Sequence, residues 1–249
     1  MNFKRRPTTT IPEDLPDKVA AAQADLKAMA EVSPRNVLAY SGGKDSLVVT
    51  HLARNSLGVR EAVIDLSFTF PRFAAQARAI ATDLGLSLVE YDRLSLAWLA
   101  AHPQFICGRT ADQSRFYALR QQATIQRHAK EHGFTGVILG RRTQENTVPA
   151  KLYRKNNGLW QGCPIRGWKT EHVWAYLHQH SISVPDIYDY RLGQLEGATP
   201  WNTVSAEEMR ARHGLNHLEL MYEYDPQVFP SMARIYPAAA AFLDERCSA

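Results

Sequence analysis

A run of six residues, SGGKDS at positions 41–46, combines the side chains and the backbone freedom that bind phosphate. Gly42 and Gly43 allow positive φ and a close backbone approach, so consecutive N–H groups can face an anion. Lys44 adds a full positive charge, and the serine at each end adds a hydroxyl donor. Asp45 could hold a metal ion or cap the following helix. The segment therefore predicts a phosphate-binding loop, whose spacing differs from that of the Walker loop.

Two consecutive arginines, Arg141 and Arg142, follow Gly140 at the end of an apolar segment. Arginine forks in that position can clamp a triphosphate or stabilise charge on its α phosphate. The alternative is an ion pair with Glu145. We expect at least one arginine to be functional, so both are catalytic candidates, and Gly140 and Arg141 are also nucleotide-contact candidates.

Three residues, Asp65, Ser67 and Phe68, close a second apolar segment. Their position predicts contact with adenosine through the backbone and through stacking on Phe68. Ordinary packing in the core is the other interpretation.

The three cysteines, Cys107, Cys163 and Cys247, are scattered and odd in number, which is typical of a reducing cytoplasm. An all-cysteine four-iron cluster needs four ligands, so an iron–sulfur cluster is not expected. Cys163 or Cys107 could accept a persulfide, and Cys163 is the catalytic candidate. Otherwise each is a small buried hydrophobic residue. The nine histidines show no zinc-ligand spacing.

Short apolar segments alternate with segments of helical spacing. Strands are predicted at 36–40, 61–66, 86–91 and 136–139, and helices at 14–32, 47–55, 73–84, 114–132 and 171–180. Such alternation predicts an α/β fold with a doubly wound, mostly parallel sheet. In such sheets ligands bind beyond the carboxyl ends of the strands. The phosphate loop, the 65–68 segment and the paired arginines are all predicted to lie at that edge.

The second half of the sequence is less regular. We predict a loop or small hairpin at 151–163, where Arg154 and Lys155 could contact substrate. We divide the chain into three parts: an N-terminal arm and helix (1–33), a nucleotide-binding domain (34–190) and an irregular helical C-terminal extension (191–249). The extension includes a short predicted helix at 205–212.

Composition excludes several classes of protein. The 249 residues are 45% hydrophobic and 10% aromatic with a formal net charge of +4, which excludes disorder over most of the chain. No stretch approaches about 18 consecutive apolar residues, so no membrane span is expected. The basic start lacks the apolar segment of a secretory signal, and we expect a cytoplasmic protein. The positive net charge permits a polyanionic partner but does not require one.

Three ordered motifs carry a family resemblance. SGGKDS after an apolar strand resembles the pyrophosphate loop of the N-type ATP pyrophosphatases. The segment GVILGRRTQEN (136–146) is similar to the G-x-R-x-x-E segment of the phosphoadenosine phosphosulfate (PAPS) reductase family. PIRGWKTEHVWAY (164–176) and VPDIY (184–188) are similar to two later blocks of that family. The tail at 245–249 lacks the Gly and His of the reductases' E-C-G-x-H motif.

The resemblance implies an enzyme that cleaves ATP to AMP and pyrophosphate, adenylating an acceptor for sulfur incorporation. Sulfur insertion into the DNA backbone is the first expectation, with a cysteine desulfurase as sulfur donor and with DNA and other modification proteins as partners. The alternatives are a sulfate adenylyltransferase-type or PAPS reductase-type enzyme and a non-catalytic ATP-binding regulatory subunit. The implied cofactors are ATP and Mg²⁺, with Asp45 as metal ligand. The implied nucleotide contacts are Ser41, Gly42, Gly43, Lys44, Asp45, Ser46, Asp65, Ser67, Phe68, Gly140 and Arg141.

Overall fold

The computed structural model describes residues 10–106, 110–144, 150–155, 158–198, 200–203 and 216–247. Its strands are β1 (Asn36–Ala39), β2 (Glu61–Asp65), β3 (Ser87–Tyr91), β4 (Gly136–Ile138), β5 (Leu152–Arg154) and β6 (Trp160–Gly162). They form one six-stranded sheet in the order β3-β2-β1-β4-β6-β5. Every neighbouring pair is parallel except β5 and β6. The predicted α/β fold with a mostly parallel sheet is confirmed.

The helices before residue 180 are α1 (Leu15–Val32), α2 (Lys44–Leu57), α3 (Pro71–Asp83), α4 (Leu96–Ala101), α5 (Thr110–Tyr117), α6 (Ala123–Glu131) and α7 (Thr170–Gln179). Residues of α1, α2, α3 and α7 share one hydrophobic core on one face of the sheet. Residues of α6 pack with the alternate residues of the central strands on the other face. The sheet is therefore covered on both sides, as a doubly wound fold requires.

Two predicted segments differ in detail from the structure. The hairpin at 151–163 forms and also joins the sheet, because β6 pairs with β4 as a further parallel strand. The predicted helix at 114–132 contains a π-helical turn, Ala118–Gln122, between α5 and α6.

The C-terminal part is helical: α8 (Arg191–Glu196), then His217–Tyr224, Phe229–Met232 and Pro237–Cys247. The predicted helix at 205–212 lies outside the described residues. Arg72 at the start of α3 holds this part, because its guanidinium donates to Asp186 and to the Tyr224 carbonyl. Met221, Tyr224 and Phe229 pack in the same core as α3. In the described ranges, no helix is long and apolar enough to cross a membrane.

Candidate functional site: the phosphate loop and its neighbours

The loop at 41–46 connects the carboxyl end of β1 to the first turn of α2. Gly42 has φ of +73°, and a Cβ there would lie 2.7 Å from the Cβ of Ala77, so both backbone angle and space require glycine. The Ser46 hydroxyl donates to the Gly43 carbonyl (2.8 Å) and accepts from the Ser41 N–H (3.3 Å). These bonds hold the loop around the positive N-terminal end of α2, where a phosphate is stabilised.

Two cations flank the carboxylate of Asp45. Lys44 Nζ lies 2.8 Å from one oxygen, and Arg142 Nε lies 2.6 Å from the other. The Arg142 side chain is only 1% exposed. The Arg142 guanidinium therefore compensates the charge of Asp45. This pairing keeps the carboxylate from repelling a bound anion. The predicted alternative partner, Glu145, lies outside the described residues.

Arg142 also ties the loop to the start of α7. Its Nη1 donates to the Gln144 side chain (3.0 Å) and to the Thr170 hydroxyl (3.2 Å). Gln144 Oε1 accepts in turn from the Thr170 N–H (2.9 Å). This network fixes the guanidinium, so Arg142 is a positioning residue for Asp45.

The end of β4 touches the loop directly. A Cβ on Gly140 would lie 2.9 Å from the Asp45 backbone, so this contact also requires glycine. The next residue, Arg141, is directed elsewhere, since its guanidinium lies 5.5 Å from the Tyr117 ring centroid. The two arginines thus separate: Arg142 joins the loop, and the half-buried Arg141 stacks on α5.

Tyr188, which lies far from the loop in the chain, contacts the junction between the loop and α2. The Tyr188 hydroxyl accepts a hydrogen bond from the Lys44 backbone N–H (3.0 Å), at the first residue of α2. Lys44 Nζ lies 6.0 Å from the centroid of its ring. In the sequence, Tyr188 is the last residue of the VPDIY segment, and that pattern alone predicts no role for it. The sequence signal that could have pointed to Tyr188 was its position in a motif shared with a nucleotide-binding family.

The residues at the end of β2 are occupied within the protein. Asp65 accepts from the Ser67 N–H (2.9 Å) and the Thr124 hydroxyl (2.7 Å), and Arg120 lies beside it. Burial lowers the pKa of Arg120 to about 10. The Ser67 hydroxyl accepts from the Arg93 and Leu94 N–H groups. These side chains brace the edge of the sheet. The backbone of the segment is also bonded within the protein, since the Asp65 carbonyl accepts from Arg120 and the Phe68 carbonyl accepts from the Trp201 N–H.

Phe68 is only 7% exposed. Its ring packs edge-on against Trp201, with centroids 5.4 Å apart, and contacts Phe116. Its φ of +57° is unusual for a side chain of that size. The Phe68 ring therefore lies in the core. The sequence pattern had predicted that this ring would stack on adenosine.

Cys163 contradicts the prediction of an accessible, catalytic thiol. It is fully buried after β6, in the core on the α6 face of the sheet. Burial raises the pKa of its thiol to about 11, and the thiolate is the nucleophilic form. The residue is a small buried hydrophobe, the alternative considered above. Cys107 and the Cys247 side chain lie outside the described residues.

Arg154 lies at the wrong edge of the sheet for substrate contact. It pairs in register with Trp160, which pairs with Gly136 at the start of β4. Its guanidinium stacks over the Trp160 ring. Because β5 is an edge strand that runs antiparallel to β6, its last residue lies at the amino edge of the parallel strands, and the phosphate loop lies at the opposite, carboxyl edge.

Asp45, the expected magnesium ligand, is paired with two cations in this structure. Mg²⁺ is usually held by one or two carboxylates together with substrate phosphates. Asp45 contributes one carboxylate, and both of its oxygens are paired with cations. Among the described residues no group of three or more His, Cys, Asp or Glu side chains could hold a metal.

Two curated relatives of this chain are sulfate adenylyltransferase subunits. Sulfate adenylyltransferase subunit 2 of Mycobacterium sp. (strain JLS) is 23% identical over 195 residues, covering 66% of this chain and 60% of that protein. The chain thus spans about 60% of the length of that relative. Sulfate adenylyltransferase subunit 2 of Azospirillum brasilense is 25% identical over 244 residues, covering 81% of this chain and 79% of that protein.

Two solved structures share the fold. The PAPS reductase of Candida auris in its phosphate complex superposes with a TM-score of 0.52 and 17% identity, covering 74% of this chain and 94% of that one. Yeast FAD synthetase in complex with FAD gives a TM-score of 0.53 and 15% identity, covering 75% and 66%. The model of the phosphoadenosine phosphosulfate reductase domain matches residues 35–199. With that match covering the sheet and every residue described around the phosphate loop, the chain belongs to the phosphoadenosine phosphosulfate reductase domain family.

Proposed function

We propose that this protein is an ATP-dependent adenylyltransferase that transfers AMP to a sulfur oxyanion, with sulfate as the acceptor, and releases pyrophosphate. The observation that carries the proposal is the intact loop at 41–46, which surrounds the N-terminal end of α2 and carries Lys44. A loop of this kind suits the pyrophosphate part of ATP better than a ligand with a single phosphate, because it offers a helix end and an ammonium group together.

The chemistry is a displacement at the α phosphate. An acceptor oxygen forms a bond to that phosphorus, the bond to the bridging oxygen of the β phosphate breaks, and pyrophosphate leaves with the electron pair. Lys44 stabilises the negative charge that develops on pyrophosphate. Lys44 is paired with Asp45 in the structure, and Arg142 still neutralises Asp45 when Lys44 turns to the phosphates.

Arg141 is the proposed contact for the acceptor. It follows Gly140, which touches the loop, yet its guanidinium stacks on Tyr117 and is directed away from Asp45. A planar guanidinium binds oxyanions through two parallel hydrogen bonds. This division assigns Lys44 to the leaving group and Arg141 to the incoming anion.

The relatives support sulfate over DNA as the acceptor. Both relatives described above are named as sulfate adenylyltransferase subunits. The burial of Cys163 also makes the first candidate for sulfur relay inaccessible. We therefore place the sulfonucleotide reaction ahead of DNA phosphorothioation.

The test measures the reaction in its easier direction, because the mixed anhydride of phosphate and sulfate is a high-energy product. Adenylyl sulfate and labelled pyrophosphate are incubated with the protein, and labelled ATP is measured. We expect ATP to form only when both substrates are present. In the forward direction, from ATP and sulfate, we expect adenylyl sulfate and pyrophosphate, with no ADP. Release of ADP and orthophosphate would contradict the proposal.

Two other outcomes separate the alternatives. AMP release that requires DNA and a cysteine desulfurase and is insensitive to sulfate would identify DNA as the acceptor. Tight ATP binding without turnover under every condition would identify a regulatory subunit.

A further inference from the structure

A small cavity lies beside Gly140, on the α6 face of the sheet. Its volume is about 300 Å³, including the part that is open to solvent. Residues of β4 and β6 form one wall, and residues of the π-helical turn and α6 form the other. Leu139 and Arg141 both line the cavity and flank Gly140, which touches the backbone of Asp45 in the phosphate loop. The cavity is therefore next to that loop.

The polar groups of the lining favour a negatively charged ligand. They are one guanidinium and three amides, those of Arg141, Gln122, Gln126 and Gln161. None of the residues that line the cavity is an aspartate or a glutamate. At Cys163, which follows Gln161 on the same face, burial raises the thiol pKa, and the charges of Arg141, Arg166 and Lys155 act in the opposite direction. Cations thus dominate the charge around this part of the sheet.

Gln161 is oriented by a neighbouring tyrosine. The Tyr153 hydroxyl donates to Gln161 Oε1, and burial raises the pKa of Tyr153 to about 12, so the hydroxyl keeps its proton. Gln161 is only 5% exposed, and in the described part of the chain its amide nitrogen donates to no acceptor. Because the oxygen is occupied, the group that Gln161 offers to a ligand is its NH₂. A buried donor of this kind is costly unless a ligand accepts from it.

The opposite wall depends on the π-helical turn Ala118–Gln122. Tyr117 and Gln122 are five residues apart, and that spacing does not share a face in an α-helix with about 3.6 residues per turn. The hydrogen bonds of a π-helix join residues five apart, so the turn brings both side chains to the cavity. Tyr117 also holds Arg141, whose guanidinium stacks on its ring. Single π-helical turns are frequent at functional sites.

We propose that this cavity binds the acceptor of adenylyl transfer, a tetrahedral inorganic oxyanion such as sulfate, with the Gln161 amide and the Arg141 guanidinium as its donors. Sulfate has acceptor oxygens on every side and no hydrogen to donate, which matches a lining of this kind. Tyr153 is a positioning residue, because it directs the amide of Gln161. The inference rests on the proposed function, and it gives the acceptor a site separate from the phosphate loop.

The test must keep sulfate from binding at the phosphate loop itself. Calorimetry therefore measures sulfate binding in the presence of an ATP analogue that has a methylene group between its α and β phosphates. Gln161→Leu removes the amide. Gln161→Glu keeps an oxygen for Tyr153 and replaces only the donor. Gln113→Leu is the matched control, since Gln113 is a half-buried glutamine whose amide donates to the Thr203 carbonyl (3.0 Å) outside the cavity.

We expect Gln161→Leu to weaken sulfate binding by about tenfold, the usual effect of losing a hydrogen bond to a charged group. Gln161→Glu should weaken it further, because a carboxylate repels the anion. Both variants should bind the ATP analogue like the original chain, and Gln113→Leu should bind both ligands like the original chain. Thermal unfolding of each variant gives its stability. A purely structural role for Gln161 would lower stability and weaken the binding of both ligands together.

Two results would overturn the inference while the proposed function stands. The first is equal sulfate affinity in Gln161→Leu, Gln161→Glu and the original chain. The second is weaker binding of the ATP analogue with unchanged sulfate binding, which would assign the cavity to the nucleotide. Failure of the original chain to bind the analogue, or to bind sulfate in its presence, would instead reject the proposed function itself.

Discussion

At the scale of single residues, the site is built from charges that are already compensated. Asp45 lies between Lys44 and the buried Arg142, so the loop carries no uncompensated carboxylate where an anion is to bind. Removing one partner of a buried charged pair is costly, because the other charge stays buried without compensation. The consequences of substitution here therefore depend on which member of the group is removed.

Lys44→Ala should lower pyrophosphate release from ATP at least tenfold, because the leaving group loses a charge-assisted contact. Arg142 still pairs with Asp45 in this variant, so we expect the fold to persist. Initial rates with labelled ATP and a circular dichroism spectrum check both parts.

Lys151→Ala is the matched control, since Lys151 also pairs with an aspartate (Asp25, 3.1 Å) but lies outside the site. Its rate should equal that of the original chain. A Lys44→Ala variant with full activity would contradict the assignment of the ATP site.

Cys163 should resist thiol reagents in the folded protein, since it is fully buried and its thiol pKa is raised to about 11. Iodoacetamide labelling followed by peptide mass spectrometry measures this directly. We expect the Cys163 peptide to be labelled in urea and unlabelled without it. Fast labelling of the folded chain would restore Cys163 as a candidate for sulfur relay.

At the scale of elements, the loop is shaped by the packing of α2 against α3 and β4. Gly42 lies against Ala77 of α3, and Gly140 at the end of β4 lies against the backbone of Asp45. Neither contact leaves room for a Cβ. The phosphate loop is therefore positioned by neighbouring elements as well as by its own hydrogen bonds.

Gly42→Ala should lower the free energy of unfolding more than Gly58→Ala. The two glycines have similar positive φ (+73° and +69°), but a Cβ at Gly58 meets nothing within 4 Å. Gly58→Ala should cost about 1–2 kcal/mol for backbone strain alone. Gly42→Ala should cost about 1–3 kcal/mol more, because it also overpacks the contact with Ala77. Urea unfolding measures both values.

The double variant Gly42→Ala, Ala77→Gly isolates the steric part. Ala77→Gly alone should lower the free energy of unfolding by about 1 kcal/mol, because glycine is unfavourable within a helix. In the double variant, removal of the Ala77 methyl should relieve the clash with the new Cβ, so the total loss should be smaller than the sum of the two single losses. If the two changes simply add, the contact with Ala77 does not determine the conformation of the loop.

At the scale of the whole molecule, a pair of histidines lies where α2 packs against the end of α7. His51 of α2 contacts Tyr176 of α7, and its ring centroid lies 4.9 Å from that of His180. Desolvation, followed by the nearby charges of His180 and Arg54, lowers the pKa of His51. A histidine that is harder to protonate in the folded chain makes stability depend on pH.

The sign of that dependence follows from the direction of the shift. Below the ordinary histidine pKa of 6.5 the unfolded chain binds more protons at His51 than the folded chain. The free energy of unfolding should therefore fall as the pH drops below about 6.5. His51→Gln should reduce this slope, and His180→Gln should reduce it in part. Urea unfolding at several pH values between 5 and 7.5 checks this, and an unchanged slope in His51→Gln would contradict it.

The sequence alone was sufficient to predict features that depend on residues adjacent in the chain. The alternation of apolar and helical segments predicted the parallel sheet, because burial on both faces requires short apolar strands between helices. The six residues at 41–46 predicted the phosphate loop, since glycine freedom, charge and helix start are contiguous in the chain. The boundary of each strand predicted that the paired arginines and the 65–68 segment follow the carboxyl ends of strands, as they do in the structure.

The tertiary structure decided what depends on contacts between distant segments. Only the fold brings Tyr188 to Lys44 across 144 residues, and only the fold separates Arg141 from Arg142. Burial of Cys163 and Phe68 likewise depends on the opposite face of the sheet and on Trp201, which local patterns do not report. Residue type determines which interactions a side chain can make. Packing against elements that are distant in the chain determines whether its partner is water, a ligand or another side chain.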